Sequence, residues 1–169
     1  MKFLLSAVLI VWTLNVLGQK PEKFGIVDSA LPQGINVGEE APIIELSSYD
    51  GKKFSMDKVL KKGPVVVMFY RGSWCSHCSR QISNLSDSLS YILSKGATVV
   101  AVSPESFEEE NGKIESVEGI VFLHDVVGEV MVSYDVDFLV TEAYQKKLKV
   151  FMNLDLAENN EQELATLPV

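Results

Sequence analysis

Residues 65–103 read VVVMFYRGSWCSHCSRQISNLSDSLSYILSKGATVVAVS, and this stretch decides the fold. It opens with an apolar run, 65–70, that is typical of a central strand covered on both faces. Apolar residues at helical spacing then predict a helix from about Cys75 to Ser94, and Gly96 stands where a C-terminal cap belongs. A second apolar run, 97–103, predicts another buried strand. Strand, helix and strand with short connections form a βαβ unit, so the two strands should be parallel.

Shorter elements are predicted on either side of this unit. In chain order they are a hairpin of 42–46 and 52–56 around an Asp50-Gly51 turn, a helical turn at 57–61, a strand at 121–124 and a helix at 128–134 packed through Val130 and Met131. From residue 137 onward the signal weakens, and the alternation at 150–156 is too slight to predict a strand.

Composition and charge limit the function classes. The chain has 169 residues and is 47% hydrophobic, which suits one domain with a sizeable core. Its formal net charge is −8, and no basic stripe interrupts the acidic background. An acidic surface argues against nucleic acid and anionic membranes as partners.

The first eighteen residues predict a cleavable signal peptide, 1–18. Lys2 precedes a short apolar run, and small residues stand three and one positions before a cleavage site at Gln19. The run is short for a membrane span, so we expect cleavage and export to a periplasm or the outside, with no membrane attachment afterwards. Residues 19–35 are expected to form an irregular extension before a single domain at 36–169.

The chain has two cysteines, Cys75 and Cys78, at the predicted start of the helix. Residues at i and i+3 share a helix face, so their sulfurs can meet and form a reversible bond. Unpaired backbone N–H groups and the helix dipole favour a thiolate at the first position, where cysteine pKa values fall from about 8.5 to between roughly 3.5 and 7.5. His77 and Arg71 are expected to add positive charge. Cys75 should therefore attack, and Cys78, which we expect to be less exposed, should resolve.

Three other interpretations of the pair are weaker. A structural disulfide closing so short a loop would stabilise the fold little. A structural zinc site wants four ligands, whereas the only histidine besides His77 is His124, which is expected to be structural. A simple core thiol fits poorly beside Trp74 and a helix start. A C-x-x-C motif next to a βαβ pattern favours redox chemistry.

The FYRGSWCSHC segment after a buried strand resembles the thioredoxin-like superfamily, in particular its alkyl hydroperoxide reductase/thiol-specific antioxidant, or peroxiredoxin-like, branch. The segments GEEAP at 38–42, GPVVV at 63–67 and AVSP at 101–104 are also similar to that branch. The resemblance implies an α/β thioredoxin-like fold, with a central mixed sheet and flanking helices, and thiol redox chemistry without a metal or organic cofactor. Because they neighbour the two cysteines in the sequence, four further residues are expected to line the site: Tyr70, Arg71, Trp74 and His77.

Two departures from that branch affect the expected function. Peroxiredoxins carry a Pro-x-x-x-Thr/Ser-x-x-Cys motif, but Gly72 or Cys75 would occupy the hydroxyl position here, depending on which cysteine is aligned. Dithiol–disulfide exchange is therefore favoured over efficient peroxide reduction. The chain also ends at Leu167-Pro168-Val169, which resembles the segment just before the cis-proline of the family, so we expect a C-terminally incomplete fold; less favoured, Pro168 is that proline.

The sequence supports three functions. The first is an exported thiol–disulfide oxidoreductase acting on disulfide- or dithiol-containing exported proteins and recycled by a thiol reductant or oxidant. The second is a thiol-dependent hydroperoxide reductase, in which a peroxide forms a sulfenic acid that the other thiol resolves. The third is a copper-binding or metal-delivery module, because soft thiolates suit Cu(I).

Overall fold

The structure, a computed structural model, describes residues 32–106, 117–162 and 165–168. The predicted signal peptide, 1–18, and most of the predicted extension, 19–31, lie outside the described residues. Residues 32–35 contain no helix or strand, as expected for the end of that extension. Within the described ranges, no helix has both the length and the apolar character that crossing a membrane requires.

A mixed sheet flanked by helices organises the described chain. In chain order the elements are β1 (Glu45–Ser48), β2 (Lys53–Ser55), α1 (Met56–Leu60), β3 (Val65–Phe69), α2 (Ser76–Ser94), β4 (Thr98–Ser103), β5 (Ile120–His124), α3 (Glu129–Ser133), β6 (Asp137–Leu139), α4 (Glu142–Met152), α5 (Leu156–Asn159) and β7 (Thr166–Pro168). Five strands form one sheet in the order β2-β1-β5-β4-β3, and β6 pairs with β7. The predicted α/β class is confirmed.

The βαβ unit is confirmed in register and direction. β3 pairs in parallel with β4, from Val65 opposite Thr98 to Phe69 opposite Val102, and β4 pairs in parallel with β5. Alternate residues of β4 face opposite sides, because successive side chains of a strand point away from each other. Its Ala101 packs under α2, and its Val100 packs with α1 and α3 on the other face. The sheet is thus covered by helices on both sides.

β3 does not occupy the central position that its apolar run predicts. In the described part of the chain it pairs only with β4, and Val66 on it is 37% exposed. β4 lies between β3 and β5 instead, and all but its first residue are buried. An apolar run reports how much of a strand is covered, but it does not determine the strand's place in the sheet.

The N-terminal hairpin is confirmed, but its first strand begins three residues later than predicted. The backbone of residues 42–44 accepts hydrogen bonds from outside the hairpin ladder. The Tyr134 hydroxyl donates to the Pro42 carbonyl at 2.8 Å, and the Met56 N–H donates to the Ile44 carbonyl at 2.9 Å. The turn between the strands places Gly51 at a φ of +75°. The predicted helical turn and the helix carrying Val130 are both present, as α1 and α3.

The region after residue 137 is more regular than its sequence pattern indicates. The Thr141 side chain caps α4 by accepting a hydrogen bond from the Tyr144 N–H at 3.3 Å, and Asn153 ends this helix in the left-handed conformation. Leu148 is the only buried residue of α4, although Tyr144, Leu148 and Phe151 recur at helical spacing. No peptide bond among the described residues is cis, so the less favoured assignment of Pro168 as a cis-proline finds no support.

Candidate active site

The loop between β3 and α2 presents the predicted site. Tyr70 follows β3 and is buried, and a short loop carries the chain to Cys75, the N-cap of α2. Gly72 has a φ of +146°, and a Cβ there would lie 2.4 Å from Trp74 Nε1 and 3.3 Å from Glu105 Cδ. Position 72 therefore requires glycine. The Cys75 N–H closes the loop by donating to the Gly72 carbonyl at 3.2 Å.

The two thiols meet at the start of α2, as the sequence predicts. Cys78 Sγ donates a hydrogen bond to Cys75 Sγ at 2.8 Å, and both cysteines are free thiols. They belong to the apolar cluster between α2 and the sheet. The two cysteines are buried to nearly the same extent, with exposed fractions of 9% for Cys78 and 7% for Cys75, so the expectation that Cys78 is the less exposed of the two is not confirmed. The difference between them comes from hydrogen bonding rather than depth.

Hydrogen bonding gives the two thiols opposite acidities. The hydrogen bond from Cys78 lowers the pKa of Cys75 from 9.0 to about 6, against the opposing effect of burial. The backbone N–H groups of Cys78 and His77 and the positive charge of Arg71 act in the same direction as that bond. The bond to Cys75, together with burial, raises the pKa of Cys78, because Cys78 must keep the proton that it donates. The pair thus holds a thiolate and a thiol that share one proton.

Arg71 affects the thiols through its positive charge, whereas His77 does so through its backbone N–H. The charge of Arg71 lowers the pKa of both thiols, and its Nε donates to the Pro168 carbonyl at 3.4 Å. Its guanidinium carbon also lies 5.5 Å from the centre of the Phe138 ring, within the range of a cation–π contact. His77 is exposed, and it is its backbone N–H that favours the Cys75 thiolate. A role for the His77 imidazole stays a prediction.

Tyr70 packs with the two thiols and forms a hydrogen bond with Tyr49, a partly buried residue that the sequence analysis missed. Its ring packs in the cluster that contains both cysteines, and its hydroxyl donates to the Tyr49 hydroxyl at 3.2 Å. Burial raises the pKa of Tyr70 and raises that of Tyr49 to about 12. Both tyrosines therefore stay neutral near pH 7.

His124 is structural, as expected. Its ring lies 3.6 Å from the Tyr49 ring, centroid to centroid, and its Nδ1 is 3.2 Å from the Glu105 carbonyl. Burial lowers the pKa of His124. Among the residues that the structure describes, no group of three or more His, Cys, Asp or Glu side chains is placed to hold a metal ion.

Trp74 packs beside the site, as predicted, and joins two apolar clusters. It contacts the cluster under α2 and the cluster formed by β6, β7, α4 and α5. Its Nε1 is buried without a hydrogen-bond partner in the described structure. A cavity of about 420 Å³ adjoins it, lined also by Glu105, Met152 and Glu158. The cavity beside Trp74 is therefore lined by both acidic and apolar side chains.

Glu105 is the second residue that the sequence analysis missed. It lies two residues after the end of β4 and is 5% exposed. Its carboxylate accepts hydrogen bonds from the Ser73 N–H at 2.7 Å and the Ser73 hydroxyl at 2.8 Å. Burial raises the pKa of Glu105, against the effect of the bonds from Ser73. The carboxyl ends of neighbouring parallel strands share one sheet edge, so a carboxylate just after the second strand signals this placement.

Several solved peroxiredoxin structures resemble this chain. Peroxidoxin BcpB from Mycobacterium tuberculosis matches with a TM-score of 0.52 and 20% identity over 64% of this chain and 68% of that one. The 2-Cys peroxiredoxin of Plasmodium vivax in its reduced form matches with a TM-score of 0.51 and 17% identity, over 65% and 80%. The yeast mitochondrial 1-Cys peroxiredoxin matches with a TM-score of 0.51 and 16% identity, over 60% and 51%. These likenesses support the thioredoxin-like fold.

The sequence itself matches a family. No curated protein matches the chain. The model of the AhpC/TSA family matches residues 37–152, which contain both thiols, the loop before them and Glu105. The chain therefore belongs to the AhpC/TSA family, the peroxiredoxin-like branch of the thioredoxin-like superfamily, and is an oxidoreductase or thiol peroxidase.

Proposed function

We propose that this chain is an exported thiol–disulfide oxidoreductase in which Cys75 attacks and Cys78 resolves. The observation that carries the proposal is the 2.8 Å hydrogen bond from Cys78 Sγ to Cys75 Sγ at the start of α2. It joins a sulfur whose pKa is lowered to about 6 to one whose pKa is raised. At neutral pH one sulfur is then a nucleophile, and the other is a proton-bearing thiol within reach of it.

The reaction proceeds in two exchanges. The Cys75 thiolate attacks one sulfur of a substrate disulfide, whose S–S bond breaks, and the departing thiolate takes up a proton. Cys78 then loses its proton, and its sulfur attacks Cys75 Sγ and releases the second substrate thiol. Two electrons pass to the substrate, and the Cys75–Cys78 disulfide forms. The reverse sequence oxidises a substrate dithiol, and the potential of the pair decides the direction.

The predicted export indicates which class of protein this chain acts on. The predicted signal peptide, 1–18, places the mature protein where disulfides persist, so its partners are exported proteins that carry disulfides or dithiols. A thiol reductant or oxidant of that compartment recycles the pair. N-terminal sequencing of the protein recovered from an expressing cell tests this step, with Gln19 as the expected first residue and Met1 as the contradicting one.

Hydroperoxide reduction is the second candidate, and family membership favours it. The Cys75 thiolate would attack a peroxide oxygen, the O–O bond would break, and the leaving oxygen would take up a proton as alcohol or water. The Cys78 thiol would then condense with the sulfenic acid on Cys75, forming the disulfide and releasing water. Position 72 has no hydroxyl, and the Ser73 hydroxyl already donates to Glu105 at 2.8 Å, so neither assists the peroxide.

Paired assays on the same preparation separate the two reactions. We expect the full chain to reduce insulin disulfides with dithiothreitol as reductant and to consume hydrogen peroxide far more slowly. Cys75→Ser should abolish insulin reduction, Cys78→Ser should stop turnover at a mixed disulfide, and Ser88→Ala, an exposed position on α2, should change neither rate. Peroxide consumption that exceeds insulin reduction and needs both cysteines would replace the first proposal by the second.

A further inference from the structure

Glu105 holds the loop that precedes the thiols at two points. Its carboxylate accepts from both the N–H and the hydroxyl of Ser73, at 2.7 and 2.8 Å. Only 5% of the residue is exposed. Hydrogen bonds to an ionised acceptor are shorter and stronger than neutral ones, and an unpaired carboxylate at this depth would be costly. Glu105 and Ser73 therefore stabilise each other's position.

The rest of the loop is packed against the same carboxyl group. A Cβ on Gly72 would lie 3.3 Å from Glu105 Cδ, so the backbone of the loop passes close over it. The Gly72 carbonyl in turn accepts the Cys75 N–H at 3.2 Å. A hydrogen bond between Gly72 and Cys75 thus closes the turn, and Glu105 holds Ser73 within it. The place of Cys75 Sγ relative to the helix N–H groups depends on this anchor.

We propose that Glu105 is a positioning residue that fixes Cys75 at the start of α2 by anchoring the loop through Ser73, and so controls the redox potential of the pair. This inference rests on the proposed dithiol function. The anchoring role opposes the direct effect of charge. A carboxylate near a thiol disfavours the thiolate, whereas a fixed loop keeps the thiolate on its N–H donors. The two roles therefore predict opposite shifts in the acidity of Cys75 when Glu105 is removed.

Several polar groups besides Ser73 face Glu105, and their titration must be distinguished from that of Cys75. Among the described residues they include Tyr49 from the loop after β1, Tyr70 after β3 and His124 from β5. From α5 they include the Asn159 amide and Glu158, which lines the same cavity. Burial raises the pKa of both tyrosines and lowers that of His124. A titration that monitors alkylation of the Cys75 sulfur itself follows none of these groups directly.

Glu105→Ala, Glu105→Gln and Ser73→Ala provide the test, with the pKa of Cys75 read from the pH profile of iodoacetamide alkylation and the potential read against glutathione. In Glu105→Ala we expect the acidity of Cys75 to fall about tenfold, and the potential to become more negative by up to about 30 mV, because the reduced form loses its stabilised thiolate. In Glu105→Gln the amide oxygen accepts the Ser73 N–H, and the Ser73 hydroxyl can rotate to accept from the amide N–H. That variant should therefore stay within about threefold of the wild type.

Two results would overturn the inference. If both Glu105 variants make Cys75 more acidic, charge rather than position is the effect of Glu105. If Glu105→Ala lowers the melting temperature but leaves the Cys75 pKa unchanged, the residue is merely structural. Should Glu105→Ala not fold, Ser73→Ala decides, since it removes one of the two bonds and should lower the acidity of Cys75 by about threefold. An unchanged pKa in Ser73→Ala then overturns the proposal.

These measurements need no substrate, so they separate this inference from the proposed function. A wild-type protein that fails to reduce insulin but shows the shift in Glu105→Ala contradicts only the proposed function. A protein that reduces insulin but shows no shift contradicts only the role of Glu105.

Discussion

Replacing Cys78 by alanine tests the source of the low Cys75 pKa. The hydrogen bond from Cys78 Sγ is the largest cause of that lowering, to about 6. A hydrogen bond to a charged group contributes about 1.5–3 kcal/mol, and one pKa unit corresponds to about 1.4 kcal/mol. Cys78→Ala should therefore raise the Cys75 pKa by about one to two units.

The assay is the rate of iodoacetamide alkylation of Cys75 across pH. At pH 6 the thiolate fraction should fall from about one half to between about 9% and 1%, slowing alkylation by about 5- to 50-fold. The full pH profile is needed, because a less acidic thiolate is intrinsically more nucleophilic. Cys78→Ser is the matched control, since its hydroxyl still donates a hydrogen bond, and its Cys75 pKa should stay within about one unit of the wild type. A pKa that stays near 6 in Cys78→Ala would refute the reasoning and leave the helix start and Arg71 as its cause.

Three further outcomes are expected. Gly72→Ala should destabilise the protein by about 2–4 kcal/mol in urea denaturation, because the added Cβ would meet the Trp74 ring. Gly51→Ala is the control, since Gly51 also has a positive φ but lies in open space, and it should cost only about 1 kcal/mol. Equal losses in the two variants would contradict the contact with Trp74. Tyr49→Phe should cost about 1 kcal/mol by removing a buried hydrogen-bond acceptor, and Tyr91→Phe on the exposed side of α2 should cost nothing measurable. The reduced protein should gain stability from pH 6 to 9, because folding lowers the Cys75 pKa from 9.0 to about 6, and this contribution is lost as pH falls through 6. Above about pH 9 the raised pKa of Cys78 acts in the opposite direction, so stability should be highest near pH 9. A flat urea midpoint between pH 6 and 9 would contradict this expectation.

The sequence predicts the βαβ unit and the dithiol because both rest on local patterns. The apolar runs of β3 and β4, the helical spacing of α2 and the position of Gly96 each determine structure within a few residues. The i and i+3 spacing alone brings Cys75 and Cys78 onto one helix face. What escapes prediction depends on contacts distant in sequence. The edge position of β3 has no local signal, and the contact between Glu105 and Ser73 is indicated only by the sheet edge that the ends of β3 and β4 share.

α4 is not predicted, although its sequence carries the signals of a helix. Its capping residue is Thr141, and Tyr144, Leu148 and Phe151 recur at helical spacing after it. From the sequence, the low pKa of Cys75 is expected from the helix start and nearby positive charge, and Cys78 is expected to differ by its depth. In the structure, the largest cause of the opposite acidities is the direction of one hydrogen bond between the two sulfurs. That direction depends on side-chain geometry that spacing does not contain.

The shared proton changes how many protons accompany electron transfer. Above about pH 6 the reduced pair carries one proton rather than two, so forming the disulfide releases two electrons but only one proton. The potential should therefore change by about 30 mV per pH unit in that range, and by about 60 mV per pH unit at lower pH, where both sulfurs are protonated. The potential of this pair therefore changes less with the pH of its surroundings than the potential of a dithiol whose two pKa values are not shifted.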